Sequence, residues 1–115
     1  MLRIIHNPRC RKSREALKLL QQKNIEPVII EYLKNPLKKK QIEDILTYLN
    51  ESDFNKIIRK NESIYKEKYK NKILSKSDLI QAIFEYPILL ERPIVVKDKK
   101  AIIGRPPENI LALLK

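Results

Sequence analysis

The sequence predicts an α/β protein whose elements follow the order β-α-β, several helices, then β-β-α. Three observations predict this class. Apolar runs at residues 2–5 and 27–33 flank a segment of helical period. Two more apolar runs, at residues 94–97 and 100–103, lie close enough together to form a hairpin. The stretch between these pairs, residues 36–90, has mainly helical periodicity.

The first strand, helix and second strand form one predicted unit. β-Branched residues fill the middle of the run at 27–33, and the preceding helix has an apolar side and a candidate C-terminal cap, Asn24. Units of this kind nearly always have parallel strands joined by a right-handed crossover. We therefore expect residues 2–5 and 27–33 to pair in parallel.

Several short helices are predicted after the second strand. Apolar residues at i, i+3, i+4 and i+7 predict a helix over 42–49 that ends at Asn50. Ser52 is expected to cap a short helix that contains the apolar residues of 54–58. Residues 64–69 indicate a further irregular helical piece.

The remainder of the chain has clear start and stop signals. Ser75 and Asp78 match a capping box with Asp in place of Glu, and they should open a helix that Pro87 stops. The hairpin at 94–103 follows. Because proline suits the first turn of a helix, residues 104–107 predict a loop leading into a last helix.

Size and composition fit one folded domain covering residues 1–115. The chain is 43% hydrophobic and 34% charged, which suits one modest core. No apolar run approaches the roughly 20 residues that span a bilayer, and the N-terminus does not resemble a secretory signal. A single cysteine forms no internal disulfide, which fits a reducing compartment. We expect a cytoplasmic protein without membrane association.

The net charge of +11 does not by itself identify a partner. The lysines are scattered along the chain, as on a solvated surface. An anionic small substrate or a nucleic acid would also suit this charge. Nucleic acid is disfavoured because the sequence contains no zinc module, basic leucine zipper or aromatic RNA-binding signature.

Cys10, the only cysteine, lies at the junction between the first turn and the first helix. The first N–H groups of a helix lack internal partners and carry partial positive charge. They favour a thiolate and can hold an anion. Four basic side chains surround this position in the sequence: Arg9, Arg11, Lys12 and Arg14. We therefore predict a nucleophilic thiolate beside an oxyanion site.

Other kinds of cysteine site are excluded by neighbouring residues. A phosphatase loop of the Cys-x5-Arg type needs arginine where the chain has Ala16, and a Cys-x-x-Cys motif needs cysteine where it has Ser13. His6 and Cys10 are the only residues of their types, so one chain cannot complete a tetrahedral zinc site, and no metal is expected. The Ser13 hydroxyl either donates to the thiolate or a bound anion, or caps the helix. His6 either stabilises the thiolate, orients the turn, or is an ordinary turn residue.

The single thiol constrains any redox mechanism. If Cys10 is oxidised or modified during turnover, no second cysteine in the chain can resolve it. The resolving thiol must then come from glutathione or a small redox protein.

Arg59, Arg92 and Arg105 stand out by their positions. If the first hairpin strand runs antiparallel to residues 2–5, its start, preceded by Arg92, lies near Cys10. The end of the second hairpin strand returns to the same edge and brings Arg105 with it. Arg59 follows an apolar helical turn. The planar fork of arginine suits a tetrahedral oxyanion, although each residue taken alone could lie on the surface.

Four short motifs occur in order and nearly span the chain. They are His6-Asn7-Pro8-Arg9-Cys10-Arg11-Lys12-Ser13-Arg14, Ile58-Arg59-Lys60-Asn61, Arg92-Pro93-Ile94-Val95-Val96 and Gly104-Arg105-Pro106-Pro107-Glu108. Together they resemble the glutaredoxin-dependent arsenate reductases. This resemblance implies a thioredoxin-like fold, with a mixed four-stranded sheet and a helical insertion at about residues 36–90, between the second and third strands. It also implies a cis bond between Arg92 and Pro93.

The same resemblance implies a reaction and its residues. Arsenate would be reduced to arsenite through the Cys10 thiolate, with no bound cofactor and with glutathione as co-substrate. Glutaredoxin would then restore the Cys10 thiol. We expect the protein to be a monomer. The resemblance gives Cys10 as the nucleophile, His6 as the residue that lowers its pKa, and Arg59, Arg92 and Arg105 as oxyanion ligands. Ser13 joins Cys10 and His6 as a candidate catalytic residue because its hydroxyl can donate to the thiolate or to a bound anion.

Two further functions remain open from the sequence. One is a related glutathione-linked thiol reductase that acts on another substrate. The other is a non-catalytic Spx-type regulator that binds RNA polymerase. Such regulators commonly carry a Cys-x-x-Cys switch, which is absent from this chain, whereas the three arginines are retained here.

Overall fold

The computed structural model describes residues 2–114. Its strands are β1 (Leu2–His6), β2 (Val28–Glu31), β3 (Ile94–Lys97) and β4 (Lys100–Ile103). Its α-helices are α1 (Arg11–Gln22), α2 (Lys39–Tyr48), α3 (Glu51–Phe54), α4 (Ser63–Lys68) and α5 (Lys76–Glu85). Two 3₁₀ segments complete this part of the chain, Pro87–Leu89 and Pro107–Leu114. The predicted order of elements is confirmed.

The four strands form one mixed sheet in the order β2-β1-β3-β4. β1 pairs in parallel with β2, so that Ile5 lies opposite Ile30. β1 pairs antiparallel with β3, where Ile5 lies opposite Ile94, and β3 and β4 form the predicted hairpin. The end of β1, the start of β3 and the end of β4 therefore meet at one edge of the sheet.

Helices cover both faces of the sheet. Because successive strand residues point to opposite faces, β1 and β3 each contribute to two apolar clusters. Ile4 of β1 packs in a cluster with Ala16 and Leu20 of α1 and with Ile110 of the C-terminal 3₁₀ helix. Ile5 belongs to the larger cluster, which includes buried residues of α2 and α5. None of the helices described in residues 2–114 is long and apolar enough to cross a membrane.

Two predicted helix caps are observed. α1 ends in a Schellman motif, in which Asn24 has a φ of 61° and Ile25 N–H donates to Leu20 O at 3.0 Å. α5 begins with the predicted capping box, because Ser75 Oγ accepts from Asp78 N–H at 3.1 Å and Asp78 Oδ2 accepts from Ser75 N–H at 3.0 Å.

The region after α2 differs from its prediction. α2 ends at Tyr48, and Asn50 caps α3 by accepting from Asp53 N–H at 2.7 Å, so the cap is not Ser52. The expected helix over 54–58 is wrong beyond Phe54. Ile58 instead forms an isolated antiparallel bridge with Leu90, because extended backbone there can pair with the chain that leads into β3.

The second strand and the last helix also differ from their predictions. β2 is shorter than residues 27–33, since its backbone pairing with β1 stops at Glu31. The last helix is observed from Pro107, but it winds as a 3₁₀ helix up to Leu114.

Candidate active site

Cys10 occupies the N-cap position of α1. Its φ of −90° and ψ of 121° are extended, while its carbonyl already accepts from Arg14 N–H at 3.0 Å. Cys10 N–H donates to Asn7 O at 3.0 Å, which closes the turn after β1. The half-buried thiol is thereby fixed at the start of a helix, where backbone N–H groups and the helix dipole favour negative charge.

The neighbours of Cys10 favour its thiolate form. Burial alone would raise the pKa of the thiol. The Ser13 backbone N–H and the guanidinium groups of Arg92 and Arg105 outweigh burial, so the pKa of Cys10 lies below its ordinary value. Arg105 makes the direct contact, with Nη2 3.2 Å from Cys10 Sγ. The predicted convergence of Arg92 and Arg105 on Cys10 is therefore observed.

His6 and Ser13 form a buried pair beside the thiol. His6 Nδ1 lies 2.7 Å from Ser13 Oγ, and Ser13 Oγ accepts from Asn7 N–H at 3.0 Å. Burial lowers the pKa of His6, against the opposing effect of Glu31, and Arg14 lowers it further. We infer a neutral imidazole whose Nδ1 accepts a hydrogen bond from the Ser13 hydroxyl. These contacts orient the turn, whereas it is the Ser13 backbone N–H that stabilises the thiolate.

Two of the three candidate arginine side chains are linked by one carboxylate, that of Glu91. Arg59 Nη1 donates to Glu91 Oε1 at 2.7 Å, and Arg105 Nε lies 3.3 Å from the same oxygen. Arg105 Nε also donates to the carbonyl of Arg92 at 2.6 Å. Arg59 Nε is held separately by Glu62 at 3.1 Å. Glu91 thus fixes Arg59 and Arg105 relative to each other.

The bridge between Ile58 and Leu90 brings Arg59 to this cluster. Arg59 N–H donates to Leu89 O at 2.8 Å, and Glu91 N–H donates to Ile57 O at 2.7 Å. These bonds hold two distant segments side by side, so that the Arg59 and Glu91 side chains meet. Arg59 consequently extends from paired, extended backbone and not from the helical turn that the sequence predicted.

Arg105 is positioned by close packing at the end of β4. Gly104 N–H donates to Pro93 O at 2.9 Å, and a Cβ at Gly104 would lie only 3.0 Å from Pro93 Cγ and 3.2 Å from Ile110 Cγ2. The missing side chain therefore lets the strand end approach the Arg92–Pro93 segment. The Arg92–Pro93 bond is cis, as the resemblance implies, and the Arg105–Pro106 bond is cis as well.

Comparison with known proteins identifies the family of this chain. The ArsC family model matches residues 5–113. The chain belongs to the ArsC family. It is 43% identical to the Escherichia coli protein YfgD over 98% of this chain and 96% of that protein. It is 42% identical to an arsenate reductase of Haemophilus influenzae over 96% of this chain and 97% of the relative.

A solved structure extends this relation to the fold of the ArsC family. The arsenate reductase from Vibrio cholerae superposes with a TM-score of 0.89 at 38% identity, and the match covers 96% of this chain and 95% of that one. The predicted α/β, thioredoxin-like fold is confirmed.

Two residues of this ArsC protein were missed at the sequence level. Glu91 directly precedes the Arg92-Pro93 motif, and an acidic residue at that position was the only signal available. Tyr32 was read only as part of the second strand. Its side chain is 1% exposed, and its hydroxyl has no hydrogen-bond partner within residues 2–114. The same holds for Nε and Nη1 of Arg92.

Proposed function

We propose that this ArsC family protein reduces arsenate to arsenite through the Cys10 thiolate, with glutathione and glutaredoxin as external reductants. One observation carries the proposal: Arg105 Nη2 lies 3.2 Å from Cys10 Sγ, and Arg92 also stabilises the thiolate. A thiolate held against guanidinium groups is placed to attack the anion that those groups bind. The Haemophilus influenzae and Vibrio cholerae relatives are both arsenate reductases by name, which agrees with this activity.

Substrate binding is assigned to the three arginines and the start of α1. Arginine presents five N–H donors in a planar fork, which matches the oxygens of arsenate. Glu91 occupies Nη1 of Arg59 and lies beside Nε of Arg105. Glu62 holds Nε of Arg59, and Nη2 of Arg105 contacts Cys10 Sγ. The guanidinium N–H groups outside these contacts are assigned to the substrate, and the N–H groups at the beginning of α1 add positive potential on the Cys10 side.

The first chemical step forms a covalent adduct. The lone pair of the Cys10 thiolate attacks arsenic(V), so that an S–As bond forms while one As–O bond breaks. The departing oxygen takes protons from solvent and leaves as water. Arg92 and Arg105 stabilise the negative charge that builds up on the remaining oxygens.

Reduction requires a thiol from outside the chain, because the sequence contains one cysteine. A glutathione thiolate attacks Cys10 Sγ, which forms an S–S bond while the S–As electron pair passes to arsenic. Arsenic(V) becomes arsenic(III) and leaves as arsenite. Glutaredoxin then takes the glutathione from Cys10 by thiol–disulfide exchange and restores the thiol.

The test is an arsenate reduction assay with glutathione, glutaredoxin and its reducing system. The wild-type protein should produce arsenite, and Cys10→Ser should not, although its circular dichroism spectrum should match that of the wild type. Comparable turnover by Cys10→Ser would exclude the mechanism. A glutathionylated Cys10 without arsenite production would indicate a thiol reductase that acts on another substrate.

A further inference from the structure

Three buried polar atoms close to Cys10 lack hydrogen-bond partners within residues 2–114. They are the Tyr32 hydroxyl oxygen and the Nε and Nη1 atoms of Arg92. Buried polar groups are nearly always hydrogen-bonded, because removing them from water without a partner costs free energy. Three such atoms on two residues that lie together therefore need an explanation.

The topology of the sheet brings Tyr32 to the same edge as Cys10. β2 runs parallel to β1, with Glu31 opposite His6, so Tyr32 follows β2 where the turn to Cys10 follows β1. Arg92 approaches from the opposite direction, because β3 is antiparallel to β1. Tyr32 thus lies beside the candidate site and not elsewhere in the core.

Electrostatic effects agree with this placement. Burial raises the pKa of Tyr32 above its ordinary value, while the charge of Arg92, a side-chain contact with Arg92 and the charge of Arg59 act to lower it, and Cys10 acts to raise it. Arg92 can only donate, so the proton of the Tyr32 hydroxyl stays free for another acceptor. The phenol is therefore close enough to these three residues to respond to their charges. Because burial dominates, the hydroxyl keeps its proton at neutral pH and is a hydrogen-bond donor.

We propose that the Tyr32 hydroxyl is a fourth oxyanion ligand, which donates with Arg92 Nε and Nη1 to oxygens on one side of a tetrahedral oxyanion. The identity of the oxyanion as arsenate rests on the proposed function. The ligand geometry itself suits any tetrahedral oxyanion of this size, including phosphate. Bound substrate would satisfy the three donors that the protein leaves unpaired.

The direct test is calorimetric binding of arsenate and inorganic phosphate to Cys10→Ser, which cannot turn over. Adding Tyr32→Phe removes only the hydroxyl, and it should weaken binding of both anions about 10- to 100-fold, as expected for a hydrogen bond to a charged group. Tyr48→Phe is the matched control. Tyr48 lies near Arg3, at the other end of β1, and should leave binding unchanged.

Thermal unfolding separates ligand binding from a structural role. Without an anion, Tyr32→Phe should unfold at the wild-type temperature or above it, because no group within residues 2–114 accepts a hydrogen bond from the buried hydroxyl. With arsenate or phosphate, its stabilisation by the anion should be smaller than that of the wild type. A clearly lower unfolding temperature without anion would overturn the proposal, because it would mean that the hydroxyl bonds within the protein.

Kinetics distinguish the Tyr32 proposal from the proposed function. Tyr32→Phe should raise the KM for arsenate, and the pH dependence of Cys10 alkylation should not move. Equal anion affinity with and without the hydroxyl would overturn the role of Tyr32 while leaving arsenate reduction by the wild type intact. Conversely, loss of phosphate affinity in Tyr32→Phe would support that role even if the wild type reduced no arsenate. If Cys10→Ser bound neither anion, both proposals would fail.

Discussion

The reactivity of Cys10 depends on residues from three separate parts of the chain. Burial of the thiol opposes ionisation, and the Ser13 N–H, Arg92 and Arg105 reverse that effect. Arg105 is the neighbour in direct contact with Sγ, at 3.2 Å. The thiolate therefore depends both on the local start of α1 and on two arginines that the fold brings from distant parts of the chain.

The first prediction concerns the pH dependence of this thiol. A lowered pKa means that alkylation of Cys10 by iodoacetamide should reach half of its maximal rate at a lower pH than an unfolded cysteine does. Arg105→Gln removes a positive charge that favours the thiolate, so its profile should shift to higher pH. Arg3→Gln, at the far end of β1, is the control and should leave the profile in place. An unshifted profile in Arg105→Gln would remove that residue from thiolate stabilisation.

The second prediction concerns Glu91, which holds two arginines by one oxygen. Glu91→Gln keeps the size of the side chain but removes the charge that orients Arg59 and Arg105. We expect kcat/KM for arsenate to fall about tenfold or more, since small displacements of positioning groups have large effects on rate. Glu62→Gln is the matched control. Glu62 contacts Arg59 at 3.1 Å, and its loss should have a smaller effect. Equal losses in the two variants would contradict the role of Glu91.

Among the secondary-structure elements, the short helix α3 connects the helical region to the sheet. Asp53, at its third residue, is 9% exposed, and its Oδ2 accepts from Ile103 N–H at 2.9 Å. Ile103 ends β4 and is followed by Gly104 and Arg105. A side chain from the helical region therefore supports the strand end that delivers Arg105 to Cys10.

The third prediction tests this connection. Asp53→Ala should lower the free energy of unfolding by about 1–3 kcal/mol, because it leaves the buried Ile103 N–H without its acceptor. Asp53→Asn retains an amide oxygen as acceptor, so its free energy of unfolding should fall by less. Urea denaturation measures both values. If the two variants were equally stable, the hydrogen bond to Ile103 would not be the reason that Asp53 is buried.

Strand direction explains how much of the site could be predicted from the sequence. Arg92 and Arg105 flank a hairpin, and antiparallel pairing with the first strand is enough to bring both to Cys10. Arg59 was assigned through the resemblance, because its position depends on the bridge between Ile58 and Leu90. Apolar periodicity contains no information about pairing with a distant segment. For that reason it indicated a helix at Ile58 and missed the bridge.

The same limit applies to the two residues that were missed. Glu91 meets Arg59 only because that bridge aligns their backbones, and Tyr32 becomes notable only when its hydroxyl is found buried and unpaired. Local signals performed better where the interaction is itself local. The capping box at Ser75 and the left-handed cap at Asn24 both join residues within one turn of a helix.

At the scale of the whole molecule, the smaller of the two cores holds α1 against the sheet. Leu20 of α1 is 0% exposed and packs in one cluster with Ile4, Val95 and Ile110. Since Cys10 is the N-cap of α1, packing on this face determines where the thiol lies relative to Arg92 and Arg105.

The fourth prediction is that Leu20→Ala lowers the free energy of unfolding by about 2–5 kcal/mol, as for other fully buried leucines. The control is Leu33→Ala. Leu33 is 44% exposed, so its replacement should lower the free energy of unfolding much less. Urea denaturation gives both values. A loss below about 1 kcal/mol in Leu20→Ala would mean that this face collapses readily around the cavity.

The carboxylate of Glu91 also affects how an anion reaches the site. The three arginines face two carboxylates, Glu62 and Glu91, and the Cys10 thiolate, so the local charges cancel. Attraction of an anion from a distance must then come from the rest of the chain, whose net charge is +11. The exposed residues Arg9 and Arg14, which flank Cys10 in the sequence, contribute to this charge. Capture would weaken as salt shortens the Debye length from about 10 Å at 0.1 M to about 3 Å at 1 M. The bound anion, held by short hydrogen bonds, would feel that screening far less.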